Sequence, residues 1–398
     1  MRYAVLLLLS LLALIALACE GGREEEQPTP SPAATSLSPT PTPAAAVDTL
    51  AFIRDGDLWL IAADGTGERR LNLSGVESFS WVSSDELDVV TGADQSGHLL
   101  VDLGGNAEPL PFPSGGSWSR DGALYVVPVD EQVVVFNRDG SEAARLDVEP
   151  PVETGEKPRQ CGAGGQPDPL AFGRPVFSPD GQRILVAANC ESRRGAVGNM
   201  MAPIFELPLD GTVNRATPLT VNPAAARPPR FSPDGAHLAQ QDFWHLSACA
   251  GPTWLTVADP DGANGREITL PAITELRGQD PLGGGGVQGG LMGYDWSPEA
   301  EAIVASFVVN ICSDVQPFLD SFLAGLYILK LDGSPEEQLE DGETSSPAWS
   351  PSGEYIAYAA GQYFGGRSEP LVVRVLDLTT RETIDIGQGS QPAWQPLP

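Results

Sequence analysis

From residue 47 onward, hydrophobic and β-branched residues occur in short runs that are separated by turn residues. Thr49 to Ile53, Asp57 to Ala62 and Gly325 to Leu331 are such runs, and an Asp-Gly pair follows each of them closely. Short runs bounded by Asp, Gly and Pro are typical of β-strands, whereas no run with a helical period of useful length occurs after residue 47. The pattern predicts an all-β domain.

One string recurs through this domain: an aromatic residue, then Ser-Pro, then an acidic residue or Ser, and usually Gly. Its copies are Phe177-Ser178-Pro179-Asp180-Gly181, Phe231-Ser232-Pro233-Asp234-Gly235, Trp296-Ser297-Pro298-Glu299 and Trp349-Ser350-Pro351-Ser352-Gly353, with weaker ones from Trp118 to Gly122 and from Trp81 to Asp85. Pro followed by Asp-Gly favours a tight turn, so each string is expected to end one strand and begin the next. A second Asp-Gly turn later in each unit brings the unit to four strands, which is typical of a β-propeller blade.

The two ends of the domain complement each other. Residues 47–73 contain the last three strands of a unit, and the missing aromatic strand occurs at the C-terminus, from Gln391 to Pro396. Pairing of this strand with the N-terminal blade would close the ring and remove exposed sheet edges. Six aromatic anchors and the shared blade predict a seven-bladed β-propeller, with a six-bladed ring as the alternative.

The aromatic-Ser-Pro-Asp-Gly string resembles the WD-like β-propeller repeat of TolB-type proteins. The resemblance covers nearly all of residues 47–398 and implies the propeller fold. It implies little about activity, because propellers serve many unrelated functions. TolB itself carries an additional N-terminal α/β domain, for which we expect no room in this chain, so its partners are not expected to apply.

The first 46 residues differ in composition from the rest. Arg2 precedes an apolar run from Ala4 to Ala18 that is shorter than a membrane-spanning helix, which predicts a signal peptide over residues 1–18. Ala18-Cys19 resembles the lipobox of bacterial lipoproteins, in which the Cys is diacylated; an ordinary signal peptide is the alternative. Residues 19–46 are rich in Pro, Thr and Ser and predict an extended linker. We expect a bacterial protein that is exported and anchored through lipidated Cys19 to the outer side of the cytoplasmic membrane or to the cell envelope.

Composition narrows the function. The chain has 53 acidic and 23 basic residues and a net charge of -30, which disfavours nucleic acid and acidic membrane surfaces as partners. Its three His, at positions 98, 237 and 245, lack the spacing of a zinc site, and no Gly-x-Ser-x-Gly motif occurs. A non-enzymatic, monomeric binding module without a cofactor or metal is therefore expected. The alternatives are a lactonase- or lyase-like enzyme with a metal in its channel, for which Asp295 is the one obvious ligand, and a structural or assembly subunit.

Strand alternation assigns each connection to a face of the propeller. First-to-second and third-to-fourth connections lie on one face, here called the turn face, and all others lie on the opposite insertion face. The long connections are 148–175, 190–203, 243–253, 271–292, 310–325 and 361–370, and all belong to the insertion face. Since loops on a rigid scaffold usually carry binding, this face is expected to recognise a protein, a peptide or an envelope glycan.

Arg and aromatic residues are frequent interface anchors. On the insertion face the candidates are Arg193, Arg194, Trp244, His245, Tyr363 and Arg367. At the entrances of the innermost strands, where side chains could rim the channel, they are Arg174, Arg227, Arg230, Tyr294 and Asp295. In a chain of net charge -30, clustered Arg residues would favour an acidic ligand.

Four Cys residues lie in or beside the long connections: Cys161, Cys190, Cys249 and Cys312. An even number of Cys in an exported protein indicates disulfides, and four allow three pairings. The preferred pairing joins Cys161 to Cys190 and Cys249 to Cys312. A Cys metal site is the alternative, but the spacing is too wide for it.

Overall fold

A computed structural model describes the propeller domain. It covers residues 48–92, 97–148, 170–190, 204–209, 217–218, 229–243, 253–279, 287–311, 323–361 and 370–397. The predicted signal peptide and linker, including Cys19, lie outside these ranges, as do Cys161, Cys249 and Cys312. Within the described ranges, no helix is long and apolar enough to cross a membrane.

The described strands form seven antiparallel sheets, numbered here as blades 1 to 7. Blade 1 contains β1 (Thr49–Arg54), β2 (Asp57–Ala62), β3 (Arg69–Leu71) and, as its innermost strand, β29 (Ser390–Trp394). Blade 2 contains β4 (Val76–Trp81), β5 (Glu86–Thr91), β6 (Gly97–Asp102) and β7 (Ala107–Pro109). Blade 3 contains β8 (Ser117–Trp118), β9 (Leu124–Val129), β10 (Gln132–Asn137) and β11 (Glu142–Asp147).

Blades 4 to 7 repeat the pattern, with one additional strand and one helix. Blade 4 contains β12 (Leu170–Phe172), β13 (Val176–Phe177), β14 (Arg183–Cys190), β15 (Ile204–Pro208) and β16 (Thr217–Pro218). Blade 5 contains β17 (Arg230–Phe231), β18 (Leu238–Phe243), β19 (Thr253–Ala258) and β20 (Arg266–Ile268), and helix α1 (Pro271–Gln279) follows it. Blade 6 contains β21 (Val287–Trp296), β22 (Ala302–Ile311), β23 (Leu323–Lys330) and β24 (Glu337–Asp341), and blade 7 contains β25 (Thr344–Trp349), β26 (Tyr355–Ala360), β27 (Val372–Asp377) and β28 (Thr383–Gln388).

The seven-bladed all-β prediction is confirmed, and the six-bladed alternative is wrong. Blade 1 is built from both ends of the domain, because β29 pairs antiparallel with β1, with Leu50 opposite Trp394 and Ala51 opposite Ala393. The amide of Gln395 extends this pairing by donating to the carbonyl of Thr49 at 2.8 Å.

The core lies between blades, which explains why the second strand of a blade is apolar at successive positions. In β1, Leu50, Ala51 and Phe52 are all fully buried. Alternate residues of a strand point to opposite faces. Leu50 and Phe52 therefore pack with blade 7, while Ala51 packs with blade 2.

Two local predictions were wrong. Helix α1 was not expected; it is short and holds its place by burying Ile273, together with Leu270 before it, in the core of blades 5 and 6. The connection 271–292 was expected to lie outside the strands, but its end belongs to β21, where Gly290 pairs with Val308. A glycine is needed near this place: a Cβ at Gly293 would lie 3.0 Å from Cδ of Pro347 in the next blade.

The repeated Ser-Pro-Asp-Gly corner is held by a buried hydroxyl. In blade 5, Ser232 is fully buried, donates to Oδ1 of Asp234 at 2.6 Å and accepts the amide of His237 at 2.9 Å. Oδ1 of Asp234 also accepts the amide of Ala236 at 3.0 Å. These donors, the Ser232 hydroxyl first, lower the pKa of Asp234. The motif therefore recurs because Ser and Asp satisfy each other and the turn.

The residue after the acidic position adopts a left-handed conformation. It is Gly122 (φ +66°), Gly181 (φ +67°), Gly235 (φ +73°) and Gly353 (φ +79°) in four blades, but Ala300 (φ +61°) in blade 6. A side chain in this region costs about 1 kcal/mol or more, whereas glycine adopts it freely.

We expect Ala300→Gly to raise the free energy of unfolding by about 1 kcal/mol, because it relieves this strain. Gly181→Ala is the matched control and should lower stability by a similar amount, since no atom lies within 4 Å of the added Cβ and only the strain changes. Urea unfolding followed by circular dichroism measures both. Loss of stability in Ala300→Gly would show that the buried methyl group outweighs the strain.

Tryptophan anchors join neighbouring blades through their indole N–H groups. Trp81 donates to the carbonyl of Ala393 at 3.1 Å, Trp394 to that of Ala348 at 3.0 Å, and Trp296 to that of Arg230 at 3.2 Å. In all three the acceptor directly precedes the aromatic anchor of the previous blade. In each of these blades, one tryptophan therefore supplies both the apolar side chain that packs between blades and the N–H that donates to a main-chain carbonyl of the neighbour.

We expect removal of residues 389–398 to abolish cooperative unfolding, because blade 1 would lose its inner strand and two of these joints would disappear. Trp394→Phe, which removes only the indole N–H, should cost about 1 kcal/mol. Differential scanning calorimetry distinguishes the two effects. A truncated protein that melts at the wild-type temperature would contradict the role of β29.

Candidate functional site

The described candidate residues lie in or just before the innermost strands of blades 4 to 6. Arg230 and Asp295 occupy the position just before the aromatic anchor in blades 5 and 6, and Tyr294 precedes Asp295. Arg174 lies just before β13 of blade 4. The remaining candidates lie outside the described residues: Arg193, Arg194, Arg227, Trp244, His245, Tyr363 and Arg367.

The structure brings Arg230, Tyr294 and Asp295 together across the joint between blades 5 and 6. Nη1 of Arg230 donates to the carbonyl of Tyr294 at 3.1 Å, and the guanidinium lies 5.4 Å from the centre of the Tyr294 ring. The same nitrogen is 3.6 Å from Oδ1 of Asp295. These contacts hold Arg230, while 56 % of its side chain stays exposed.

Asp295 links three blades. Its Oδ2 accepts the amide of Trp349 in blade 7 at 2.9 Å, while Oδ1 faces Arg230 of blade 5. The Asp295 side chain is 31 % exposed, but loss of hydration in its partly buried position raises its pKa. Arg230 and the amides of Trp349 and Trp296 oppose this rise without cancelling it. A carboxyl group with a perturbed pKa beside a fixed cation is a candidate for function.

Arg174 is attached to the neighbouring blade 3. Its Nε donates to the carbonyl of Gly116 at 2.6 Å and to Oγ of Ser117 at 3.1 Å. Gly116 also donates its amide to the Tyr125 hydroxyl at 2.8 Å, and any side chain there would collide with Val126. Within the described part of the chain these contacts use one guanidinium nitrogen of Arg174.

A buried polar network between blades 2 and 3 was missed by the sequence reasoning. His98 lies 3.0 Å from both Oδ1 of Asp88 and the carbonyl of Phe112, and Trp118 donates to Oδ2 of Asp88 at 2.8 Å. His98 had been noted only as one of three His. The signal that could have found the site is Asp88 itself, a charged residue inside the apolar run of β5.

A cleft of about 250 Å³ opens on the turn face beside the same two blades. Leu100, Leu110 and Pro111 form its apolar part, and Asp102 and Glu108 add carboxylates. Arg138 of blade 3 closes it through an ion pair with Glu86. The carboxylates outnumber the arginine here, so this cleft does not match the acidic ligand expected from the sequence.

For Cys190, only the backbone is described. Cys190 ends β14 and pairs with Leu170 of β12. Leu170 follows Cys161 in the sequence by nine positions. This is compatible with the preferred Cys161–Cys190 disulfide, which stays a prediction.

Strand bounds show how unequal the two faces are. Turn-face connections are four to eight residues long in every described case. On the insertion face, the second-to-third connections are 55–56, 92–96 and 130–131 in blades 1 to 3, but 191–203, 244–252, 312–322 and 361–371 in blades 4 to 7. Extra chain is thus added to one face and to one half of the ring.

Comparison with known proteins gives the fold and no family. No protein-family model matches the chain, and no curated protein is similar to it in sequence. A solved oligogalacturonate lyase in complex with manganese is similar in structure, with a TM-score of 0.53 and 12 % identity over 86 % of this chain and 84 % of its own. The GH74 xyloglucanase from Xanthomonas campestris has a TM-score of 0.52 and 14 % identity over 88 % of this chain and 52 % of its own.

The structure named "putative TolB from Agrobacterium tumefaciens" is also similar, with 17 % identity, a TM-score of 0.41, and coverage of 69 % of this chain and 81 % of its own. The propeller fold that the TolB-type repeat implied is present in the seven sheets of the structure itself. At such identities the likeness concerns the fold alone.

We expect Asp295→Asn to leave the unfolding midpoint at neutral pH unchanged or slightly higher. The amide oxygen can still accept from Trp349, and the cost of burying the charge disappears. Because the pKa of Asp295 is raised, the wild type regains this difference as the pH falls towards the ordinary Asp value of 3.8. Thermal unfolding over a pH series measures the effect.

Asp234→Asn is the matched control of opposite sign. The pKa of Asp234 is lowered, so its charge contributes stability at neutral pH that is lost as the medium becomes acidic. Asp234→Asn should therefore lower the midpoint at neutral pH. If Asp295→Asn lowered it equally, Asp295 would be an ordinary structural carboxylate.

Proposed function

We propose that the protein is an exported, lipid-anchored binding module that recognises a protein, a peptide or an envelope glycan through its insertion face. The observation that carries this proposal is the distribution of chain length over the strands. The four long connections between second and third strands all lie on one face and in consecutive blades 4 to 7; they are 191–203, 244–252, 312–322 and 361–371. Neutral drift in loop length would affect both faces and all blades.

The channel supports binding better than metal-dependent catalysis. Asp295, the carboxylate that a channel-bound metal would need, is engaged on both oxygens, by the Trp349 amide and by the Arg230 guanidinium. A fixed cation at 3.6 Å opposes the approach of a metal ion. Arg230 and Arg174, in contrast, are each oriented by a main-chain carbonyl and keep nitrogens for a ligand. These two residues favour an acidic group on the partner.

The proposal is tested by trimming the insertion face and identifying partners. Residues 192–202 and 313–321 are replaced by short Gly-Ser links, which leave strands β14, β15, β22 and β23, Cys190 and Cys312 intact. Crosslinking in membranes followed by mass spectrometry should show partners that the wild type retains and the trimmed protein loses.

As a control, a Gly-Ser segment of similar length is inserted after Gly333, on the turn face, and should leave the partners unchanged. An identical partner set for the trimmed and wild-type proteins would overturn the assignment of the binding face. Metal analysis of the purified protein tests the enzymatic alternative, which stoichiometric manganese or calcium would favour.

A further inference from the structure

One of the joints between blades differs in chemistry from the others. Trp81, Trp296 and Trp394 donate to main-chain carbonyls of the previous blade, and Trp349 donates to the carbonyl of Gly353 in its own corner. Carbonyl acceptors do not titrate at ordinary pH. Trp118 of blade 3 instead donates to the carboxylate of Asp88 in blade 2 at 2.8 Å. Among the described tryptophan anchors, this is the joint whose acceptor is a side chain of the neighbouring blade.

Asp88 is in turn held by His98, which comes from the adjacent strand β6. Oδ1 of Asp88 lies 3.0 Å from Nε2 of His98, and each side chain is only 6 % exposed. Nδ1 of His98 lies 3.0 Å from the carbonyl of Phe112, in the connection to blade 3. A carbonyl can only accept a hydrogen bond, so Nδ1 must donate; Nε2 faces a carboxylate oxygen and must donate as well. An imidazole ring that donates from both nitrogens is protonated.

The surroundings agree with a protonated ring. Burial by itself would lower the pKa of His98, but the hydrogen bond and charge of Asp88, with the Phe112 carbonyl, together raise it above the ordinary 6.5. Arg174 opposes this rise, yet its Nε is bound to Gly116 and Ser117. Tyr125, the other titratable group in contact, is held neutral because burial and Asp88 raise its pKa. The cation of His98 therefore balances the anion of Asp88 inside the joint.

We propose that His98, Asp88 and Trp118 form a pH-dependent clasp between blades 2 and 3, which is closed while His98 is protonated and loosens when the medium becomes alkaline. Loss of the proton leaves a nitrogen lone pair facing either Asp88 or the Phe112 carbonyl, in a place that water does not reach. Two acceptors in contact repel each other, and the ring and carboxylate must then move apart. Since Asp88 also holds Trp118, the movement is transmitted to blade 3. The surface pair Arg138–Glu86, which crosses the same joint, is exposed and adds little to hold it.

The sign of the pH dependence follows from the raised pKa. Stability from the clasp is fully present below the ordinary His value of 6.5 and is lost as the pH rises through the higher value of the folded protein. The joints through Trp81, Trp296 and Trp394 lack a titrating acceptor and should not respond. The clasp is therefore expected to loosen locally, at the joint between blades 2 and 3.

The first experiment is an NMR titration of the full-length protein, in which the His98 ring signals are identified by their absence from His98→Gln. The expected result is a midpoint above 6.5 for His98. A midpoint at or below that value would overturn the proposal. Because this measurement is made on the wild type, it remains decisive even if His98→Gln folds poorly, since the signals can then be identified by replacing His237 and His245 instead.

The second experiment compares unfolding midpoints of the wild type, His98→Gln and Trp394→Phe from about pH 5.5 to about pH 9. His98→Gln should be several degrees less stable than the wild type at the acid end, and this difference should shrink as the pH rises. Trp394→Phe, which weakens a main-chain joint, should remain parallel to the wild type throughout. If the unfolding midpoint of His98→Gln fell at alkaline pH by as much as that of the wild type, the proposal of the clasp would be overturned.

Discussion

The fold depends on one strand pairing, between β29 at the C-terminus and β1 at the N-terminus. Every blade of the propeller buries both faces of its second strand against two neighbours, so a gap anywhere in the ring would expose two apolar surfaces at once. In blade 1 this requirement falls on Leu50, Ala51 and Phe52, which have no exposed area. Because β29 also carries Trp394 and the carbonyl of Ala393, the same five-residue strand supplies a donor to blade 7 and an acceptor to blade 2. The pairing of β29 with β1 thus closes the ring and, at the same time, fixes the positions of blades 7, 1 and 2 relative to one another.

The architecture was predictable because the repeat encodes structure in single residues. In blades 3 to 5 the Ser of the corner is buried and binds the Asp that caps the turn, so neither can vary freely. The indole of Trp296 or Trp394 both fills the gap between blades and joins them. Blade number and the two-ended blade 1 follow from counting these residues. Helix α1 was not predictable, since it has nine residues and, among those whose burial is described, only Ile273 is deeply buried, which produces no periodic signal.

The candidate site was predictable only in part, and for a physical reason. Arg230, Tyr294 and Asp295 were selected as channel residues because their distance from an aromatic anchor fixes their height on the inner strands. Their contacts with one another cross between blades and depend on the side of each strand to which the side chains point. The repeat alone does not give that side; the direction in which each Trp joins its neighbouring blade does. The Asp88–His98–Trp118 network was missed because its members are far apart in sequence and belong to two blades. No spacing rule connects them.

A propeller whose blades are fixed to one another can place variable chain on a face without loss of stability, and this chain does so in blades 4 to 7. The opposite half of the ring has short connections on both faces, yet it contains the buried ion pair. Burying charge is expensive, and a main-chain carbonyl before the previous anchor already serves Trp81, Trp296 and Trp394 as an acceptor. Blade 3 could have used the same solution, since Ser80 lies at the equivalent place before Trp81. A buried His–Asp pair is weak evidence for stability, but it makes the joint responsive to protons, which a carbonyl cannot do. The choice of Asp88 over a carbonyl at this joint therefore makes better sense as a means of control than as a means of holding the ring together.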